Sequence, residues 1–227
     1  MSEAWDLVRS GQGEPAWNMA YDEALLLGVA SRSRPMLRFY SWHGSPASFG
    51  YFQRYAEVAT MTPLRPLVRR PTGGGLVPHA ADWTYSLAFP PTHSWYQLKA
   101  VESYRRVHEW IVQSFQPLAV ATVLAPEKRA AASGQCFIGA EQFDVLWEEK
   151  KIAGAAQRRT RDGLLIQGSI QAPPGIERAT WEESFCRAAT RSWSVQWIES
   201  SAAPDIEQTA QLLVESKYGR DDFNRRR

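Results

Sequence analysis

The chain has 227 residues, of which 44% are hydrophobic, and a formal net charge of +2. That length suits one domain with a substantial core, and a charge so close to balance gives no sign of a nucleic-acid or membrane-surface partner. The only two cysteines, Cys136 and Cys186, lie fifty residues apart, so a disulfide framework is not expected and a reduced, cytoplasmic setting is the default.

Met1 to Asp6 lacks a positive n-region and an apolar h-region, so no signal peptide is expected. Asn18 reads as the cap of a helix beginning at Met19, with Ala20, Ala24 and Leu27 on one face and Asp22 and Glu23 near its positive end. Leu37 to Trp42 alternates as a strand and ends in the turn His43-Gly44-Ser45-Pro46, and Ser48 to Phe52 is a second short strand. Then comes Arg69-Arg70-Pro71-Thr72-Gly73-Gly74-Gly75, with His79 four residues on. Three glycines free a loop for φ > 0 and close backbone approach to a ligand. The arginines before them are forked donors suited to carboxylate or phosphate. No Gly-Lys-Ser/Thr follows, so the loop is not a P-loop. A plain surface turn with two solvated arginines is the alternative.

Trp83 to Phe89 alternates cleanly and halts at Pro90-Pro91, and Val101, Tyr104, His108, Ile111 and Phe115 form a stripe at helical spacing. Phe143–Trp147, Lys151–Arg158 and Leu164–Ile170 read as three strands of a meander, joined by turns at Glu148-Glu149-Lys150 and Arg161-Asp162-Gly163. Thr180 with Glu183 reads as a capping box for a helix through Ser192. A last helix follows Asp205 and stops near Gly219, and the terminal Arg225-Arg226-Arg227 reads as a frayed tail. Strands and helices mix without βαβ alternation, so the expected class is α+β, a single domain over 1–227 with a mixed or largely antiparallel sheet and packed helices. The ten tryptophans suggest an aromatic-rich core, with a long apolar pocket as the alternative.

Cys136 is the candidate nucleophile: it follows a small-residue loop, and a loop thiolate near cations can take an acyl group from a thioester. Cys186, between Phe185 and Arg187 on a helix, reads as a small core residue. Lys151 stands at the mouth of a strand whose small residues Gly154, Ala155 and Ala156 leave room for a ligand, where its charge could meet a carbonyl or developing oxyanion. A solvated turn lysine is the alternative. His79 could exchange a proton near neutral pH, and no cluster has zinc-ligand spacing.

Taken together, the pieces resemble the biotin/lipoate protein ligase superfamily, in its lipoate-ligase and cysteine-dependent octanoyltransferase branch. The matching text is Asn18 to Leu25, Leu37 to Trp42, Gly50 to Gln53, Arg69 to His79, Thr84 to Ser86, Lys151 to Arg158, Gly163 to Ile170 and Lys217-Tyr218-Gly219. The resemblance implies that Arg70, Gly73, Gly74, Gly75 and His79 line an acyl or acyl-adenylate pocket. It implies that Lys151 contacts the acyl carbonyl or adenylate, and that Gly154, Ala155 and Ala156 border an apolar acyl channel. Each buried CH₂ in such a channel is worth roughly 0.8 kcal/mol.

Two reactions follow from the resemblance. In the transferase, Cys136 takes octanoyl or lipoyl from acyl-carrier protein, and a lysine of a lipoyl domain or of the glycine-cleavage H protein receives it, with no cofactor. In the ligase, ATP, Mg²⁺ and free lipoate or octanoate form an acyl-adenylate. Cys136 lies fifteen residues before Lys151, the register of the transferases, and favours that reading. Gly75 is more ligase-like, whereas Ala80-Ala81-Asp82 replaces the Asp-x-Gly-Asn of ligases. A protein that binds lipoyl domains or acyl groups without catalysis is the third reading. A monomer without an accessory C-terminal domain, a metal, a nucleic acid or a membrane partner is expected.

Overall fold

The computed structural model of the protein describes residues 2–128, 139–200 and 204–226. In chain order its elements are β1 (Glu3–Gly13), α1 (Pro15–Arg32), β2 (Met36–Trp42), β3 (Ala47–Phe49), α2 (Tyr55–Met61), β4 (Leu67–Arg69), β5 (Val77–Pro78) and β6 (Trp83–Phe89). They continue as α3 (Ser94–Gln97), α4 (Ala100–Phe115), β7 (Thr122–Leu124), β8 (Val145–Trp147), β9 (Lys150–Thr160), β10 (Gly163–Ile170), α5 (Arg178–Trp193), β11 (Val195–Glu199), α6 (Pro204–Leu213) and α7 (Asp221–Asn224). The class is α+β, as expected. A large sheet runs β11-β1-β2-β6-β10-β9-β8-β7, and a small one runs β4-β3-β5. β1 pairs in parallel with β11 and β2, and the remaining neighbours of the large sheet are antiparallel.

Period-2 alternation splits the central strands between two cores. Trp83, Tyr85, Leu87 and Phe89 of β6 point to α4 and α5, where Trp5, Trp95, Trp110, Trp181 and Phe185 pack with them. Aromatic stacking is dense there: the Trp110 and Phe185 rings lie 3.9 Å apart at 13°. The opposite face packs Tyr40, Trp42 and Ala88 against α1 and α6. The tryptophans therefore do build the core. Pocket and glycine loop lie on the α1 face, under the small sheet.

Several local expectations need correction. α1 starts at Pro15, whose fixed φ suits the first helical position, so Asn18 lies inside the helix rather than at its cap. Asn18 is instead buried, donating to the carbonyls of Gly13 and Ser41 and accepting from Arg38. Thr180 and Glu183 form no capping box, because α5 begins at Arg178 with Glu177 as its cap. Phe143 precedes its strand, at φ 73°, and its N–H meets the Ala125 carbonyl. Lys150 opens β9, leaving Glu148 and Glu149 as a two-residue turn. Val101 is exposed, and Val107 and Trp110 take its expected place in the buried stripe. The C-terminal arginines are not a free tail, since the Arg226 carbonyl accepts from Arg69 at 2.6 Å; Arg227 lies outside the described residues.

Candidate active site

Arg69 ends β4 and Arg70 follows it, so their side chains leave the strand on opposite sides. Arg69 is fully buried and donates to the carbonyls of Tyr51, Gln53, Phe223, Asn224 and Arg226. Its donors serve the protein's own backbone, which corrects the reading of both arginines as a pair for an anionic ligand. Arg70 turns inward, donating to Ser48 Oγ (2.9 Å) and to the carbonyls of Gly73 (2.9 Å) and Gly75 (2.7 Å). It moulds the glycine loop from beneath. Within the loop Gly74 takes φ +86°, where a side chain is strained. Gly50 packs so closely that a Cβ there would strike the Gly74 carbonyl. Gly73 faces open space.

His79 lies between Ser48 Oγ (2.6 Å from Nε2) and Asp82 Oδ2 (2.8 Å from Nδ1), stacked on the Trp42 ring at 3.9 Å. The same Asp82 oxygen accepts from Thr84 and Ser169. Burial would raise the Asp82 carboxyl, but the charge and hydrogen bond of His79, with Ser169 and Thr84, hold it below its ordinary value. Gln167 is the second tie, accepting from Thr72 of the loop (2.7 Å) and donating to Asp22 (2.6 Å). Asp22 also accepts from Arg38 and Tyr40. Asp22 and Glu23 are thus buried hub residues rather than helix-end charges.

These ties border a half-open pocket, about 420 Å³ with the open solvent at its mouth included, among α1, β2, β9, β10 and the Arg70 side chain beneath the glycine loop. Arg70, His79, Gly154, Ala155 and Ala156 line it together with Met19 and Trp42, whereas Gly73, Gly74 and Gly75 are not among the residues that line it. Thr84, Gln167 and Ser169 are polar, yet their hydrogens are spent within the wall. The lining as a whole is largely apolar. An apolar lining with a few fixed polar groups is typical of small-ligand sites.

Lys151 is placed by a β-bulge: Val145 and Leu146 of β8 pair with Ala153 and Lys151, so Ile152 is an extra residue. Its ammonium lies 2.7 Å from Asp144 Oδ2, both side chains being buried, which overturns the solvated-lysine alternative. Asp144 also accepts from the Glu141 N–H (2.6 Å) and the Tyr104 hydroxyl. Gly154 makes room for the lysine, since a Cβ there would lie 2.8 Å from Lys151 Cε. Lys151 is therefore a held cation packed against Gly154 of the lining, and is not itself one of the lining residues. Cys136 lies outside the described residues. Cys186 is buried in α5, and burial pushes its thiol up to about 12, which suits an inert core residue. Among the described residues no three His, Cys, Asp or Glu side chains group as metal ligands, and no helix is long and apolar enough to cross a membrane.

Sequence reasoning missed Asp144, Ser48 and Gln167, and treated Asp82 only as a departure. For Gln167 a signal existed, a polar residue in the apolar run of β10; for Asp144 none did. Residues 14–177 match the model of the lipoyl protein ligase A/B catalytic domain. The chain belongs to that family. Curated relatives include octanoyltransferase LipM of Staphylococcus aureus, 35% identical over 75% of this chain and 66% of its own length. Octanoyltransferase LipM of Bacillus subtilis is 34% identical over 74% of this chain and 65% of its own length. The matches thus span just under two thirds of these two relatives. Octanoyltransferase LipM of an Exiguobacterium species is 37% identical over 92% of this chain and 80% of its own length. Among solved structures, lipoate-protein ligase A bound with ATP superposes with a TM-score of 0.79 at 20% identity, covering 99% of each chain. A bi-partite lipoate protein ligase from Thermoplasma acidophilum gives 0.75 at 20%, covering 99% of this chain and 96% of its own. At that identity the shared property is the fold.

Proposed function

We propose that this lipoyl protein ligase A/B family member is an acyltransferase, moving octanoyl from acyl-carrier protein through a thioester on Cys136 to a lysine of a lipoyl domain or of the glycine-cleavage H protein. The observation that carries the reading is the cavity: its wall is apolar in effect, and a buried lysine is fixed beside it. Curated octanoyltransferases at 34–37% identity support it. In the first step the Cys136 thiolate attacks the donor thioester carbonyl. The new C–S bond forms, and the donor thiolate leaves and takes a proton. In the second step the acceptor amine attacks, the amide forms, and the Cys136 thiolate leaves as the amine gives up its proton. Lys151 stabilises the oxyanion in both steps, and Asp144 holds it in place. Gly154, Ala155 and Ala156 admit the chain, with Arg70 and His79 setting the roof that excludes water. The reaction runs in the cytoplasm, on one domain acting as a monomer, without ATP or metal.

Incubation with octanoyl-acyl-carrier protein should add one octanoyl mass to the intact protein, labile to hydroxylamine and absent in Cys136→Ser. Lys151→Ala should slow transfer by about 10²-fold or more, the usual cost of losing an oxyanion partner. Modification that requires ATP and survives Cys136→Ala would replace this reading with the ligase, in which ATP, Mg²⁺ and free lipoate serve.

A further inference from the structure

Outside the glycine loop, three cationic side chains converge where a single carboxylate answers them. Glu23 pairs with Lys217 (2.5 Å) and Arg158 (3.5 Å) and is itself buried. Arg226 lies 4.4 Å over the Tyr51 ring and 4.3 Å over Phe223, and its Nε and Nη2 are buried without a hydrogen-bond partner among the described residues. Arg158 faces the Tyr51 ring at 5.6 Å. The Tyr51 hydroxyl is held below its ordinary range, first by Arg226 and then, against burial, by the charges of Arg226, Arg158 and Lys217. Nearby Asp221 and Asp222 are already paired with Arg225 and Arg220. Positive charge is therefore left in excess. Beside it Phe52 is 72% exposed, the most exposed large hydrophobic side chain among the described residues, with its ring on Tyr51 at 5.1 Å.

The patch is joined to the roof of the cavity. The Tyr51 N–H donates to the Thr72 carbonyl at 2.8 Å, and Arg158 reaches the Pro71 carbonyl at 3.4 Å. Arg158 is two residues along β9 from cavity-lining Ala156, and so on the same face. Lys151 is seven residues away, about 20 Å along an extended strand. An anion held here is too far from Lys151 to be part of the reacting acyl group, so it belongs to the far end of a long donor.

We infer that this surface docks the carrier protein of the acyl donor: an acidic domain whose thioester arm ends in a phosphodiester. Its carboxylates and phosphate meet the partly exposed Arg158 and Lys217, whose positive charge Arg226 reinforces from beneath, and an apolar ridge covers Phe52. Exposed Phe52 argues for a protein surface over a free phosphate, which makes no use of an aromatic ring. Opposite charges on the two faces would also speed their encounter. The inference rests on the transferase reading for its choice of partner.

Two measurements separate the two. Direct titration of unacylated acyl-carrier protein should weaken about tenfold in Phe52→Ser and Arg226→Glu and lose most of its salt dependence in Arg226→Glu, a usual response to reversing an interface charge. Transfer rates should then show a raised KM for octanoyl-acyl-carrier protein, with unchanged rates from neutral octanoyl-pantetheine and an unchanged KM for the lipoyl domain. Carrier binding that is absent, or that ignores both substitutions, overturns the docking surface. Equal loss with both donors overturns it too, as would a change confined to the lipoyl-domain KM. Carrier binding that responds as expected, with no transfer from either donor by the unaltered protein, retains the surface and rejects the transferase.

Discussion

Arg69 and Arg70 are neighbours with separate tasks, because one strand step sends their side chains to opposite sides. The doublet was legible in the sequence, but its division of labour was not. Lys151 was picked out from its small-residue neighbours, whereas its partner Asp144 lies seven positions upstream in no recognisable pattern. His108, on the stripe of α4, shows a cost of the same buried chemistry. Its Nδ1 bonds to the Tyr104 carbonyl, its Nε2 has no partner, and burial pushes it down to about 4, with Asp144 opposing only in part. A histidine depressed on folding favours the folded state above its unfolded value near 6.5, and that stability is lost as pH falls from there toward about 4. Urea denaturation between pH 7 and 4 should therefore lose up to about 3 kcal/mol through this group. His108→Gln should flatten that part of the profile, and an unchanged profile would reject the assignment.

At the scale of elements, strands with one strong alternation were readable: β6 spans the residues expected of it, and the β8–β9–β10 meander stands. β1 and β11 were missed because β11 is a largely exposed edge strand and β1 beside it is buried mainly in its middle, with polar ends, which leaves no clean period. The Asn18 cap and the Thr180 box failed for one reason. Each helix starts upstream of the residue read as its cap, at Pro15 and at Arg178, so neither residue stands at a helix end. The β8–β9 hairpin carries a visible strain, with Glu148 at φ 47° and Glu149 at φ 62°. Left-handed backbone costs an ordinary residue about 1 kcal/mol, which asparagine and glycine largely avoid. Glu148→Asn with Glu149→Gly should raise thermal stability by about 1 kcal/mol. A fall in Tm would show that the glutamates hold something the strain does not reveal.

For the whole molecule, the distant segments that close the site are the ones the sequence could not connect. Lys217 and Tyr218 reach Glu23 on α1, and the carbonyls of α7 and Arg226 take up Arg69. The C-terminal segment thereby clamps the strand that leads into the glycine loop. Arg69→Met would leave those carbonyls unsatisfied, and a buried network broken on one side costs about 3 kcal/mol or more. Chemical denaturation should show that loss together with reduced acyl transfer. A cost below about 1 kcal/mol would mean that the clamp is not what orders the loop. By itself, the sequence determined the fold class, the glycine loop, the small-residue strand and the cation beside it, because each is written in local composition and period. Only the tertiary structure decided which arginine faces the cavity, what holds Lys151 and His79, and that polar Thr84, Gln167 and Ser169 turn their hydrogens into the wall. Those outcomes depend on partners brought together from remote parts of the chain, and hydrogen bonds of that kind leave no spacing to read.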